Sequence, residues 1–282
     1  MPPILLHRKY SKSVSCLTPH FFTSLGTCCL FLALAPGVFS AQVQAATCPS
    51  PRYDESVISK RVIDGDTLQL DDGRRLRLIG VNAPERGKNR QAAEPLAGRA
   101  WHMLQTLAGP GTPLRLRWGK EKKDRYGRLL AHVFNADGRN LSASLLAAGM
   151  GAAIQIPPNL WAYQCYLQAE KSARKQHRGI WRRAYFAPLD ANHLPSGVHG
   201  FHFIRGRLSR IGKSKTALWL NLGKRFALRI PKKDRRYFRK IRFDQLIGHE
   251  LTARGWIYVY RGQWRMNLHH PASLEISVSK LN

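Results

Sequence analysis

The chain has 282 residues, with 46 Lys and Arg against 17 Asp and Glu, and a formal net charge of +29 at pH 7. Its 44% hydrophobic content and ordinary Gly and Pro counts exclude a wholly disordered or collagen-like chain and leave room for one large or two small domains. Charge this far from neutral calls for a polyanionic partner, whether nucleic acid, an anionic membrane surface or an acidic polysaccharide; acidic small molecules alone would not require it.

Residues 1–45 carry Arg8, Lys9 and Lys12 and no acidic residue, followed by an apolar run from Cys28 to Val38. This is the pattern of an export signal, with Val43-Gln44-Ala45 as its small-residue cleavage pattern and Ser40 as a second cut. Pro36 and Gly37 interrupt the run, which is shorter than the roughly 20 residues that span a bilayer. Cleavage is therefore expected over permanent anchoring, and a periplasmic or secreted mature chain with it. Cys28 and Cys29 stand at the start of the apolar run instead of following it, which argues against lipidation. Loss of this segment leaves Cys48 and Cys165. In an oxidising compartment they suggest one disulfide; two unpaired thiols are the alternative.

Downstream, residues 52–183 hold 24 Lys and Arg against 12 Asp and Glu. Apolar and polar residues alternate over Ser56–Ile63, Thr67–Leu70 and Arg74–Val81, which predicts three strands with a turn at Asp71-Asp72-Gly73. Gln91–Leu107 carries Leu96, Ala100, Met103, Leu104 and Leu107 at helical spacings and is stopped by Gly109-Pro110-Gly111. Leu114–Trp118 and Leu129–Phe134 predict two more strands, and Leu141–Ala148 and Trp161–Gln176 two more helices. Five short strands and three helices fit an OB-type barrel with helices packed on it, a mainly β, α+β fold.

Three stretches at strand ends gather polar residues: Asp64-Gly65-Asp66-Thr67, Arg77 through Asn82-Ala83-Pro84-Glu85, and Asp124-Arg125-Tyr126-Gly127-Arg128. Phosphodiester hydrolysis needs a hard cation, a base for water, and donors for the developing charge, and these stretches hold residues for all three. Taken singly, the glycines could only make turns and the aspartates only cap backbone. Together, VIDGDT, RLRLIGVNAPE, DRYGR and the closing RGIW stand in an order and at distances that resemble the staphylococcal nuclease (thermonuclease) family over about Ser56 to Trp181.

The resemblance implies that Asp66 ligates Ca²⁺, with Asn82, the backbone carbonyl of Ala83 and a supporting Asp64 completing an oxygen-rich site. It implies Glu85 as general base, and Arg77 and Arg128 as the guanidiniums that grip the phosphate and stabilise its transition state. Tyr126 would stand near the phosphate end of a bound nucleotide, a core role being equally open. The family cuts DNA and RNA with modest sequence preference and leaves 3′-phosphate ends. One position departs: the family usually carries Asp where this chain has Asn82. A neutral amide should bind Ca²⁺ more weakly. Two readings follow, a nuclease with a raised metal requirement, or a nucleic-acid-binding barrel whose catalysis has decayed. Retention of Glu85, Arg77 and Arg128 favours the first.

Residues 184–199 read as a linker between two compact domains, the stretch Ala187–Gly200 (APLDANHLPSGVHG) being rich in Pro, Gly, Asn and His. From the start of the linker onward, residues 184–282 hold 19 Lys and Arg against five Asp and Glu. Residues 200–276 alternate again through Phe201–Leu208, Ala217–Leu222, Phe226–Ile230, Leu251–Val259 and Trp264–Leu268, which predicts a second small barrel. The charged stretch Pro231–Phe243 places Tyr237, Phe238 and Ile241 at helical spacing. Lys232, Lys233, Arg235, Arg236, Arg239, Lys240 and Arg242 put seven cations into eleven positions beside one Asp234, an arrangement that repels itself without an anionic partner. GRxxxI, LWLNLG, TARGWI and the final His270-Pro271 resemble OB-fold nucleic-acid-binding modules, including those appended to some exported nuclease-family proteins. That resemblance implies single-stranded or denatured DNA, or RNA, as partner, with rings such as Trp219, Tyr237, Trp256, Tyr258, Tyr260 and Trp264 either stacking bases or filling the core. No stable membrane anchor is expected. His269-His270 have no further ligand at metal-site spacing and read as strand-end residues.

Overall fold

The computed structural model describes residues 48–87 and 91–277, so the export signal expected at 1–45 lies outside the described residues. Among those described, no helix is long and apolar enough to cross a membrane.

The first barrel is built from β1 (Glu55–Asp64), β2 (Thr67–Leu70), β3 (Arg75–Leu78), a short β4 (Val81–Asn82), β5 (Pro113–Lys123) and β6 (Leu129–Phe134), closing in the order β1-β2-β3-β6-β5. Leu68, Leu70, Leu76, Leu78, Leu114, Leu116, Ala131 and Val133 alternate along these strands and are fully buried, so one face of every strand fills the barrel. Helices α1 (Ala97–Ala108), α2 (Leu141–Ala147) and α3 (Tyr163–Lys175) pack outside it, and a two-residue β7 (Ala152–Ala153) pairs with β4. Cys48 is bonded to Cys165, with Cα atoms 5.7 Å apart, which ties the start of the described chain to α3.

Two departures from the expected boundaries have a visible physical cause. The helix expected from Gln91 begins at Ala97, because Glu94 donates its N–H to the Glu85 carbonyl and spends the preceding segment closing a loop. The strand expected over Arg74–Val81 breaks at Ile79-Gly80 into β3 and β4. Gly80 adopts φ +90°, and a side chain there would run into the Tyr166 ring, so glycine is required at this corner.

The second barrel uses β9 (Gly200–Lys213), β10 (Ala217–Leu222), β11 (Phe226–Pro231), β12 (Glu250–Tyr260) and β13 (Gln263–Asn267), and β12 pairs back onto β9 to close it. Leu218, Leu220 and Leu222 on β10 and Phe226, Leu228 and Ile230 on β11 point inward. Two further strands escaped the sequence reading because each is so short: β8 (Leu189–Asp190), parallel to β9, and β14 (Leu274–Ile276), beside β12.

The segment 184–199 is therefore not a bare linker. It forms a 3₁₀ turn at Ala184–Phe186 and the strand β8, buries Ala191, and packs Leu194 and Val198 on the second core. The charged stretch also differs from the expected α-helix: Lys232–Phe238 and Phe243–Leu246 are 3₁₀ segments. Asp234 is buried there and bonded to His269 Nδ1 at 2.7 Å, and this anchor to the end of the barrel competes with regular helical turns.

The barrels are packed against each other. Arg254 on β12 reaches Glu170 on α3, with Nη1 2.6 Å from both carboxylate oxygens, and Nη2 donates to Glu275 at 2.6 Å, which Arg174 also binds at 2.6 Å. Beside this ion cluster, Trp181, Phe203, Phe201 and Trp256 form a chain of edge-to-face rings at centroid spacings of 5.5, 5.8 and 5.2 Å.

Candidate active site

Asp64, Asp66, Arg77, Asn82, Glu85, Tyr126 and Arg128 line one open cleft of about 790 Å³ on the first barrel. Three features of local folding bring them there. The β1–β2 hairpin turns at Asp64–Thr67, and Gly65 N–H donates to Asp64 Oδ1 at 2.8 Å. The corner after β3 carries Arg77 and Asn82 to the same end, and the β5–β6 hairpin presents Tyr126 and Arg128 from the turn at Asp124–Gly127. Gly127 closes that turn at φ +77°, with its N–H on the Asp124 carbonyl.

Arg77 and Asp66 form the buried centre of the cleft wall, Nη2 to Oδ2 at 2.9 Å, both under one-tenth exposed. Asp66 Oδ2 also accepts the Ala83 N–H at 2.9 Å and Oδ1 accepts the Thr67 hydroxyl at 3.0 Å. Arg77 Nη1 donates to the carbonyls of Leu78 and Val81 at 2.7 and 2.8 Å, while Nη2 reaches Asn82 Oδ1 at 3.3 Å. The guanidinium thus laces the β3–β4 corner to the β1–β2 hairpin. Ala83 is buried and is not among the residues that line the cleft; its N–H donates to Asp66.

Arg128 is held differently. Its Nε donates to Asp124 Oδ2 at 2.7 Å and its backbone N–H to Asp124 Oδ1 at 2.9 Å. Partial burial pushes Asp124 up, but the Arg128 side chain and the backbone N–H groups of Arg128 and Tyr126 outweigh it and hold the carboxyl below its usual range. Tyr126 has no core role: it is 69% exposed, with the Arg125 and Arg128 guanidiniums 4.9 and 5.5 Å from its ring centre. Glu85 sits exposed at the rim. Its N–H donates to Glu94 Oε2 at 2.9 Å while Glu94 N–H returns to the Glu85 carbonyl at 2.9 Å, so Glu94 grips that loop from both sides.

A family model described as Staphylococcal nuclease homologue matches residues 75–183. A thermonuclease of Staphylococcus intermedius is 39% identical over 132 residues, covering 46% of this chain and 77% of that protein. A thermonuclease of Staphylococcus hyicus is 37% identical over 125 residues, 43% of this chain and 72% of that one. The chain belongs to the staphylococcal nuclease homologue family. An uncharacterized endonuclease of Escherichia coli is 32% identical over 136 residues, 44% of this chain and 75% of its own length. The family match takes in Arg77, Asn82, Glu85 and Arg128 and ends at residue 183, so the second barrel lies outside it.

Among the described residues, no group of three or more His, Cys, Asp or Glu is arranged to hold a metal ion. The donor set in the staphylococcal nuclease-like cleft is nevertheless all oxygen: the carboxylates of Asp64 and Asp66 and the amide oxygen of Asn82. That chemistry fits a hard cation such as Ca²⁺ with much of its shell left to solvent and substrate.

On the second barrel, Lys232, Lys233, Arg235, Arg236 and Arg239 line one groove of about 560 Å³. Lys240 and Arg242 do not line it, and Arg242 is exposed and paired with Asp244 at 3.2 Å. Two residues act at the cleft in ways that the sequence does not signal. Glu94 lies nine positions from the loop it holds, and nothing in its neighbourhood announces that task. Trp256 lines the cleft of the first barrel from the second, and the sequence marks it only as one aromatic among several.

Proposed function

We propose that the chain is an exported, Ca²⁺-dependent nuclease that hydrolyses phosphodiester bonds of DNA, RNA or both by attack of water. The observation that carries this reading is the convergence of Arg77, Glu85, Arg128 and two buried aspartates on one cleft. Arg128 is fastened through Nε, which leaves its terminal nitrogens to meet a phosphate as a planar fork. Glu85, at the exposed rim, is placed to take a proton from the attacking water. A cation held by Asp66, Asp64 and Asn82 would supply charge neutralisation at the phosphate. Arg77 positions Asp66 and Asn82 for that task and adds positive potential to the wall. Family membership, with thermonucleases and an endonuclease as relatives, supports the same chemistry.

A second reading, a nucleic-acid-binding protein with weakened catalysis, draws on Arg77 itself. Its two terminal nitrogens are already bonded to Leu78, Val81, Asp66 and Asn82, and Asn82 carries no charge. The test is incubation of denatured DNA with the mature chain and millimolar Ca²⁺ beside a Glu85→Gln variant. Cleavage in the first tube only supports the nuclease with Glu85 as base; no cleavage in either tube supports the binder, and equal cleavage in both removes Glu85 from the mechanism.

A further inference from the structure

We propose that the second barrel completes the nuclease cleft, with Trp256 as a base-stacking wall. A single strand leaving the cleft then crosses that barrel's outer face over Tyr258, Arg265 and Trp219. This inference rests on the nuclease reading above and names how the substrate strand is held.

Two aromatic rings line the cleft among the described residues, Tyr126 and Trp256. The Tyr126 ring already has two guanidiniums near it. Trp256 comes from β12 of the other barrel, lines the cleft together with Ile154 and Ile156, and is 42% exposed. Packing between barrels alone would bury it. Instead, Phe201 meets the ring edge-to-face at 72°, so the indole is braced while part of its surface stays open. Arg254, two positions earlier on the same side of β12, anchors the strand to Glu170 and sets where Trp256 stands.

The same alternation carries the path onward. Ala253 and Ile257 point into the second barrel, whereas Arg254, Trp256 and Tyr258 point to its outer side, where Arg254 is buried against the first barrel and Trp256 stays partly open. Tyr258 is opposite Arg265 in the β12–β13 register, and the Arg265 guanidinium lies 4.7 Å from the Trp219 ring and 4.5 Å from Tyr260. Arg229 stands opposite Trp219 on the neighbouring strand, 5.8 Å from its ring. Rings interleaved with guanidiniums across one sheet face hold bases by stacking and phosphates by charge, with little dependence on sequence. The ligand class is single-stranded nucleic acid.

The test uses the full mature chain and fluorescein-labelled oligothymidylates of about four and about sixteen nucleotides, a range that spans one OB-type site. Affinity is read by anisotropy in EDTA, and KM and kcat by cleavage in Ca²⁺. Trp256→Ala should weaken both probes about fivefold or more and raise KM more than it lowers kcat, and Trp256→Phe should restore most of the loss. Trp219→Ala combined with Arg265→Ala should weaken the longer probe more than the shorter. Wild-type affinity and KM in Trp256→Ala overturn the wall, and equal losses at both lengths in the double variant overturn the path. A wild-type chain that binds but does not cut sinks the nuclease reading while the affinities still judge Trp256. A wild-type chain that binds neither probe sinks both.

Discussion

Arg254 on the second barrel and Glu170 on a helix of the first form a buried ion pair, 4% and 2% exposed, with Nη1 2.6 Å from each carboxylate oxygen. Glu170 also accepts the Ala153 N–H at 2.7 Å, on the short strand beside Asn82, so one carboxylate links the inter-barrel contact to the cleft.

Removing Arg254 takes from the buried Glu170 its close cation and leaves it only Arg174, at 3.8 Å. Arg254→Ala is expected to cost about 3–5 kcal/mol in urea unfolding. Joining it with Glu170→Gln should recover part of that loss, because that buried charge is gone. Equal stability of wild type and Arg254→Ala would refute the account.

Asn82 Oδ1 lies 3.3 Å from Arg77 Nη2, next to Asp66 on the same guanidinium. Asn82→Asp adds a charge where a cation would bind and gives Arg77 a second carboxylate partner. The Ca²⁺ concentration for half-maximal cleavage should fall, on the order of three- to tenfold. An unchanged requirement would show that position 82 does not set metal affinity.

Glu94 grips the Glu85 loop through both its side chain and its backbone. Glu94→Ala should lower kcat by about ten- to hundredfold through misplacement of Glu85, and Glu94→Gln, which keeps an acceptor oxygen, should retain most of the rate. A role confined to stability would lower the melting temperature and leave kcat of the folded fraction intact.

Much of the first barrel was legible in its apolar patterning: the strands Thr67–Leu70 and Leu129–Phe134 have the bounds that the pattern predicts. The cleft residues were legible because they sit at strand ends in short polar runs. What escaped depends on contacts between distant segments. No periodicity says that Asp234 will be bonded to His269 and hold its stretch in a 3₁₀ form, or that Glu94 will delay a helix by bonding to the Glu85 loop. Trp256 is the clearest case: its strand was expected, but its place in the cleft follows from how Arg254 docks one barrel on the other.

His132, on the barrel strand Leu129–Phe134, makes stability depend on pH. It is 1% exposed, its Nδ1 lies 2.7 Å from the Tyr166 hydroxyl, and its ring meets Trp161 edge-on at 4.7 Å. Burial, with the nearby Arg117 charge adding to it, pulls its pKa from 6.5 to about 3. In the unfolded chain this imidazole takes up a proton as pH falls below about 6.5, whereas in the fold it stays neutral until about 3. The unfolded state thus binds more protons throughout that window, and stability should fall by about 1.4 kcal/mol per pH unit from this group as pH drops. His202 and His270 are also pulled down by burial and add to the slope in the same direction. Urea unfolding between about pH 6.5 and about pH 4.5, above the range where most carboxylates titrate, should show the decline. His132→Phe should be less stable near neutrality, having lost the Tyr166 contact, yet flatter with pH. A parallel slope in the two proteins would mean that His132 is charged in the fold.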